Sequence, residues 1–207
     1  MGKFKVCPQQ PIDFEYLAKK IDYFGEAVNV VDALGLRHLM TRQCDYNIHL
    51  VQQFYSTVEF DGTMNIGMTW MSGSHRLESN FREFAEVLGY PFLGSSLSTG
   101  ERMHEGPEAD KNKLVNLYGK KGVVGTNIGL YALYDILLRM FRLSISPSAG
   151  NNDAIRGGLI NLMFHAYDSF SHGNGKPERW KTDVMDYLYH EIYAAVRDKK
   201  VPMYGGC

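Results

Sequence analysis

The last third of the chain contains three consecutive segments in which apolar residues recur at helical spacing. These segments cover residues 130–141, 155–170 and 184–196, and polar stretches rich in Ser, Gly and Asn separate them. The apolar face of the first segment consists of Leu130, Leu133, Tyr134, Leu137, Leu138 and Phe141. Residues three to four positions apart share one face of an α-helix, so each segment is predicted to form an amphipathic helix. Such faces require burial, which favours a packed, helix-rich domain.

The first half of the chain adds shorter helical patterns. The apolar residues of a first predicted helix are Phe14, Leu17, Ala18 and Ile21. Asp13 is placed to accept hydrogen bonds from the free N–H groups of that helix. A short helical piece is expected around residues 30–40, and another helix is expected from Asp45 onward. The apolar residues that predict this later helix are Ile48, Val51, Tyr55 and Val58.

Turn residues mark a short β region after these helices. Turn signals at residues 61–62 and 72–74 bracket an extended run at residues 66–71, and residues 75–77 are the expected partner of that run. The pattern predicts a small β-hairpin or three-stranded ribbon around residues 58–77.

A helix with clear boundaries is predicted next. Its apolar face consists of Phe81, Phe84, Ala85 and Leu88. Ser79 is the expected N-cap, because its hydroxyl could accept a hydrogen bond from the first turn. Gly89, followed by Pro91, is expected to end the helix, since glycine readily adopts the left-handed conformation found there.

These patterns together predict an α+β fold that is predominantly α-helical. The chain has 207 residues, of which 44% are hydrophobic, and this is enough to bury a sizeable core. Residues 1–207 are therefore expected to form a single domain. The polar, charged segment 95–113 is predicted to be a long surface loop, and it leaves open a division into two lobes, 1–94 and 114–207.

Composition and motifs argue against several functional classes. No segment approaches the roughly 18 uninterrupted apolar residues of a membrane span, so we expect no membrane partner and an intracellular location, cytoplasmic or nuclear. Cys7, Cys44 and Cys207 are too widely spaced for a disulfide framework or a C-x-x-C metal site. Nucleophile-elbow, Walker and dinucleotide-binding motifs do not occur in the sequence. We therefore expect a protein that is not an enzyme and needs no cofactor.

Two His/Asp pairs at helical spacing are candidate metal ligands. His165 and Asp168 lie in the second apolar segment, whereas Asp186 and His190, followed by Glu191, lie in the third. Imidazoles and carboxylates on two packed helices could bind a divalent metal and support a metal-dependent enzyme. Neither pair belongs to a recognised ligand motif, so ordinary helix-surface contacts are the preferred interpretation.

The charge of the chain is uneven, although its formal net charge is -1. Residues 1–110 carry 9 Lys/Arg against 15 Asp/Glu, whereas residues 111–160 carry 7 against 2. The candidate phosphate contacts in the basic segment are Lys120, Lys121, Arg139, Arg142 and Arg156, which Lys111 and Lys113 could extend. A charge excess is usually a solvated face, so nucleic-acid binding by residues 111–156 is the alternative function.

Residues 119–122, Gly-Lys-Lys-Gly, have the form of the G-x-x-G loop with which KH domains clamp a nucleic-acid backbone. A KH loop joins two helices directly, whereas Val123, Val124 and Gly125 make a poor helix start. A plain basic turn is therefore the preferred interpretation.

Several segments of the chain resemble proteins encoded by plant long-terminal-repeat retrotransposons of the Athila-like type. The matching segments are 50–58 (LVQQFYSTV), 70–73 (WMSG), 81–91 (FREFAEVLGYP), 138–142 (LRMFR), 147–151 (PSAGN), 155–157 (IRG) and 183–192 (DVMDYLYHEI). They occur in the order typical of that family. The tryptophan, the turn and the helix that ends in Leu-Gly-Tyr-Pro are also similar, more weakly, to the plant mobile domain.

The resemblance implies a structural or binding role in a gag-like region, outside protease, reverse transcriptase and integrase. The leading hypothesis is therefore a non-enzymatic interaction or self-assembly module with a protein partner. A zinc knuckle of the form C-x2-C-x4-H-x4-C is absent from the sequence, so the chain departs from a complete nucleic-acid-packaging protein. The resemblance is compatible with a fragment of such a protein or with a domesticated copy.

Overall fold

A computed structural model describes residues 9–21, 24–43, 45–60, 67–90, 114–145, 153–155 and 158–171, with residues 184, 185, 188, 192, 195 and 196. In chain order, the helices of this part are α1 (Phe14–Ala18), α2 (Phe24–Ala33), α3 (Arg37–Thr41), α4 (Ile48–Thr57), α5 (Phe81–Leu88), α6 (Ala132–Ser144) and α7 (Gly158–Ser171). The strands are β1 (Glu59–Phe60), β2 (Met68–Ser72) and β3 (His75–Ser79). This architecture confirms a helix-rich α+β fold.

The short helices of the first half follow from local capping. Asp13 is the N-cap of α1, and its carboxylate accepts a hydrogen bond from the Tyr16 amide at 2.9 Å, as predicted. The single helical piece expected at residues 30–40 is in fact two helices, α2 and α3. Gly35 separates them with a φ of 70°, a conformation that most other residues avoid.

The predicted β region is a three-stranded antiparallel sheet with the strand order β1-β2-β3. It follows α4, which begins after the N-cap residue Asn47 and so starts later than expected. The β2–β3 hairpin pairs Trp70 with Leu77, and Gly73 lies in its turn with a φ of 61°. The turn predicted at residues 61–62 lies outside the described residues.

The N-cap predicted for α5 is wrong by one residue. Ser79 is the last residue of β3, and Asn80 caps the helix by accepting a hydrogen bond from the Glu83 amide at 3.0 Å. The Glu83 carboxylate accepts a hydrogen bond from the Asn80 amide in return, which completes a capping box. Gly89 ends the helix with a φ of 75°, as predicted, whereas Pro91 lies outside the described residues.

Helices α2, α6 and α7 pack against one another at the centre of the core. The fully buried residues of this packing include Phe24, Val31, Leu137, Leu138, Phe141, Leu162 and Met163. The predicted apolar face of α6 is buried as expected, except that Leu130 is partly exposed and precedes the helix. Helix α7 starts at Gly158, so Ile155 belongs to the preceding turn, where its amide donates to the Gly125 carbonyl.

One hydrophobic cluster extends along the chain from Ile12 to Leu188. A smaller cluster contains Val51, Tyr55, Ile192 and Ala195. The described residues of the third apolar segment, Val184, Met185, Leu188, Ile192, Ala195 and Val196, are all helical. The predicted loop 95–113 lies outside the described residues. Within the described chain, every helix is too short or too polar to cross a membrane.

Candidate functional site

An apolar groove of about 420 Å³ is lined by residues of α4, β2 and α5. Its apolar lining consists of Leu39, Tyr46, Leu50, Val51, Phe54, Tyr55, Trp70, Met71, Phe84, Leu88, Tyr90, Leu188 and Ile192. The polar residues of the lining are Gln9, Arg42, Asp45, Asn47 and Ser72. A concave site with apolar walls and few polar groups is typical of binding pockets.

Side chains of α4 form hydrogen bonds with the backbone of the β2–β3 hairpin, as a neighbouring strand would. The Gln53 amide group donates to the Gly73 carbonyl at 2.7 Å and accepts from the Gly73 amide at 2.8 Å. One turn later, the Thr57 hydroxyl accepts a hydrogen bond from the Met71 amide at 2.9 Å. These bonds satisfy backbone groups at the end of β2 and fix the position of α4 beside the strand.

Aromatic side chains form one wall of the groove. The Phe54 ring contacts the Trp70 ring edge-on, with 5.6 Å between the ring centroids. It also contacts the Tyr55 ring at 5.1 Å in the same arrangement. Edge-to-face pairs stabilise the relative orientation of the rings beyond simple burial. This wall therefore has a defined shape before any ligand binds.

The end of α5 supplies the most polar part of the groove. The Gly89 amide donates to the Glu86 carbonyl and the Tyr90 amide donates to the Ala85 carbonyl, which is the Schellman pattern of a helix end. This turn folds Tyr90 back against the body of the protein. Arg42 Nη1 donates to the Leu88 carbonyl at 3.0 Å, so a cation also lies at the C-terminus of α5, where the helix dipole favours it.

The Tyr90 hydroxyl is buried, and its proton has no acceptor among the described residues. Burial raises the pKa of Tyr90 to about 12, although the charge of Arg42 and the hydrogen bond that its side chain offers to the phenol oxygen act in the opposite direction. The phenol is therefore neutral at physiological pH and carries an O–H donor. Arg42 has only donors and cannot accept that proton. A buried donor without an acceptor is costly, so an acceptor brought by a ligand would stabilise the site.

The candidate phosphate contacts are only partly available at the surface. Arg139 is exposed and forms an ion pair with Asp135 at 3.0 Å. Arg142 is half-buried and donates to the Ala154 carbonyl at 2.8 Å, so part of its donor capacity is already used inside the protein. Burial lowers the pKa of Arg142. Arg156, Lys111 and Lys113 lie outside the described residues.

Lys120 and Lys121 occupy a tight turn in which the Gly122 amide donates to the Gly119 carbonyl at 2.9 Å. The glycines of this turn are explained by close packing. A methyl group at Gly122 would lie 2.5 Å from Tyr118 Cβ, and one at Gly129 would lie 2.5 Å from Gly122 Cα. The turn does not join two helices, so its geometry is that of a basic turn and differs from the KH loop.

The candidate metal ligands do not form a cluster in the described chain. His165 lies on α7 and is half-buried, and this burial lowers its pKa, while the nearby Asp168 partly counteracts the effect. Asp186, His190 and Glu191 lie outside the described residues. Among the residues that the structure describes, no three His, Cys, Asp or Glu side chains come close enough to hold a metal ion.

Comparisons of the chain with protein-family models, curated proteins and solved structures find no match. The resemblance to retrotransposon-encoded proteins therefore depends on the sequence segments themselves.

Sequence patterns did not indicate the groove or its polar end. Arg42, Phe54, Trp70 and Tyr90 are far apart in the chain and are brought together by folding. One local signal was present, because a large apolar residue directly after a helix-ending glycine usually packs back against the helix. Tyr90 is such a residue.

Proposed function

We propose that this chain is a non-enzymatic interaction module that binds another protein through the groove formed by α4, β2 and α5. The observation that carries the proposal is the apolar, aromatic lining of the groove. Its volume of about 420 Å³ is enough for a few side chains. The resemblance to the gag-like region of plant retroelements supports a role in contacts between macromolecules, in a mobile element or in a domesticated copy.

A protein partner is favoured over a small compound because the apolar surface extends beyond the groove. Leu50 and Tyr46 line the groove and are also 45% and 39% exposed. Adjacent exposed apolar residues are typical of surfaces that contact another protein. A partner segment could cover Tyr46 and Leu50 while it inserts side chains into the groove.

The proposal can be tested by selecting binders from a random peptide library displayed with blocked carboxyl ends. Selected peptides, synthesised as amides, are titrated by calorimetry against the wild-type protein and two variants. Leu50→Asp places a charge in the groove, whereas Val87→Asp places one on the outer face of α5, where Val87 is 79% exposed. We expect Leu50→Asp to weaken binding roughly tenfold or more, since a buried charge is costly, and Val87→Asp to have no effect.

Equal affinities in the two variants, or no selected binder, would contradict the proposal. A mixed-sequence DNA duplex is titrated in parallel with the wild-type protein and with a Lys120→Glu/Lys121→Glu variant. Salt-sensitive DNA binding that this double variant abolishes would support the alternative function of the basic segment.

A further inference from the structure

The polar end of the groove points to a particular part of a partner protein. We propose that the groove binds the carboxyl terminus of a partner chain, with the terminal carboxylate between the Tyr90 hydroxyl and the Arg42 guanidinium. The last apolar side chains of the partner would then contact the aromatic wall. This inference depends on the proposed function, because it specifies which segment of a partner enters the groove.

The first argument is the state of Tyr90. Its side chain is among the buried residues, with 7% of the residue exposed, and it lies in the lining of the groove. Its O–H proton has no acceptor among the described residues, and its ring is held by an edge-on contact with the His38 ring at 5.4 Å. The hydroxyl is therefore held in place while its donor lacks an acceptor. Such a group is satisfied by a ligand oxygen.

The second argument is the position of Arg42. The hydrogen bond from its Nη1 to the Leu88 carbonyl fixes the guanidinium at the end of α5, beside Tyr90. A guanidinium has five N–H donors in a planar fork, and this hydrogen bond uses only part of that capacity. Two donors of this kind, one of them charged, fit a group with two acceptor oxygens and a negative charge. A carboxylate matches both requirements.

The third argument concerns the source of the carboxylate. Asp45 also lines the groove, so the lining contains one negative charge as well as the positive charge of Arg42. A free anion therefore gains little from the local field, and a carboxylate needs apolar contacts to be retained. The partly exposed side chains of Tyr46 and Leu50, which line the groove, offer such contacts at its edge. A peptide end, which continues along the surface, fits this arrangement better than a free organic acid.

The test compares three probes by calorimetry with the full chain. They are a groove-binding peptide with a free carboxyl terminus, the same peptide as its amide, and hexanoate as a free acid. We expect the free-acid peptide to bind roughly tenfold more tightly than the amide, because it adds hydrogen bonds to a charged group. Hexanoate is expected to bind far more weakly than either peptide.

Tyr90→Phe is the decisive variant, since it removes an O–H donor for which the described residues offer no acceptor. We expect it to remove most of the preference for the free carboxyl terminus, measured as the ratio of the acid and amide affinities, and to leave the unfolding midpoint the same or higher. Tyr16→Phe, at a 57% exposed tyrosine outside the groove, is the matched control and should behave as wild type.

Three outcomes would overturn the inference: equal binding of acid and amide, an unchanged preference in Tyr90→Phe, or hexanoate binding as tightly as the peptide. In the first two cases amide binding persists, so the proposed function survives and only the carboxylate assignment fails. If neither the acid nor the amide peptide binds the wild-type protein, the result would instead contradict the proposed function itself.

Discussion

Two buried tyrosines of this protein differ in how their hydroxyl groups are paired. The Tyr118 hydroxyl donates to the Thr126 carbonyl at 2.6 Å and accepts from the Gly125 amide at 3.1 Å, so it holds the turn after it in place. The Tyr90 O–H proton, by contrast, has no acceptor in the described chain. Removing each hydroxyl should therefore have opposite consequences for stability, although the two side chains are equally buried, at 7% exposure each.

Tyr118→Phe is expected to lower the free energy of unfolding by about 1–3 kcal/mol, because it leaves a carbonyl and an amide without their partner. Urea denaturation of wild type and variant measures this difference. Tyr131→Phe serves as the control, since Tyr131 is 55% exposed, and it should change the free energy of unfolding by less than about 0.5 kcal/mol. A variant as stable as the control would show that the hydroxyl does not hold the turn.

His165 makes the stability of the protein depend on pH. Its pKa in the folded state is lowered from 6.5, chiefly by burial, so the unfolded chain binds a proton more tightly than the folded chain. The contribution of His165 is therefore complete above pH 6.5 and is lost as the pH falls below that value.

The measurement for His165 is the free energy of unfolding at about pH 7.5 and about pH 5.5, on either side of the ordinary histidine pKa. Wild type should lose more stability between the two conditions than His165→Gln, which cannot titrate. Other histidines and carboxylates are common to both proteins and cancel in the comparison. Parallel pH profiles would contradict the assignment.

At the scale of single elements, periodicity located the helices well, but local hydrogen bonding set their ends. The apolar face of α5 was predictable because its residues recur every three to four positions. Its first residue was not, because Ser79 and Asn80 are both good N-cap residues. The choice depends on the pairing of Ser79 with Met68 in the sheet, which keeps Ser79 in β3. A sequence pattern does not contain that pairing.

The cap assignment of α5 can be tested with two single substitutions. Asn80→Ala should reduce the free energy of unfolding by about 1 kcal/mol, because it removes the acceptor for the Glu83 amide. Ser79→Ala should cost clearly less, since the Ser79 hydroxyl only donates to the neighbouring Asn80 carbonyl. Urea denaturation decides between them, and the reverse order of stabilities would restore Ser79 as the cap.

At the scale of the whole molecule, the core connects residues from both halves of the sequence. Phe24 and Val31 of α2 lie in the same cluster as Leu137 and Phe141 of α6. The amphipathic patterns predicted that these faces are buried, but they could not tell which faces meet. The groove was unpredictable for the same reason, since its lining comes from elements that are distant in the sequence.

This shared core predicts that both halves of the sequence unfold in one transition. In a Trp180→Phe variant, the fluorescence of Trp70 reports on the hairpin, whereas the circular dichroism signal has large contributions from α6 and α7, with 13 and 14 residues. We expect the two signals to give the same urea midpoint. Two separate midpoints would instead identify two independently folding lobes.

The hydrogen bonds between Gln53 and Gly73 join the middle of α4 to the tip of the hairpin. These bonds hold α4 and the hairpin at a fixed separation, so this part of the groove does not widen. A peptide side chain that is too large for it is therefore excluded. Affinity across a series of ever bulkier terminal side chains is thus expected to drop in one step. Gln53→Ala removes both hydrogen bonds to Gly73, so in this variant the affinity should decline gradually as the side chain becomes larger.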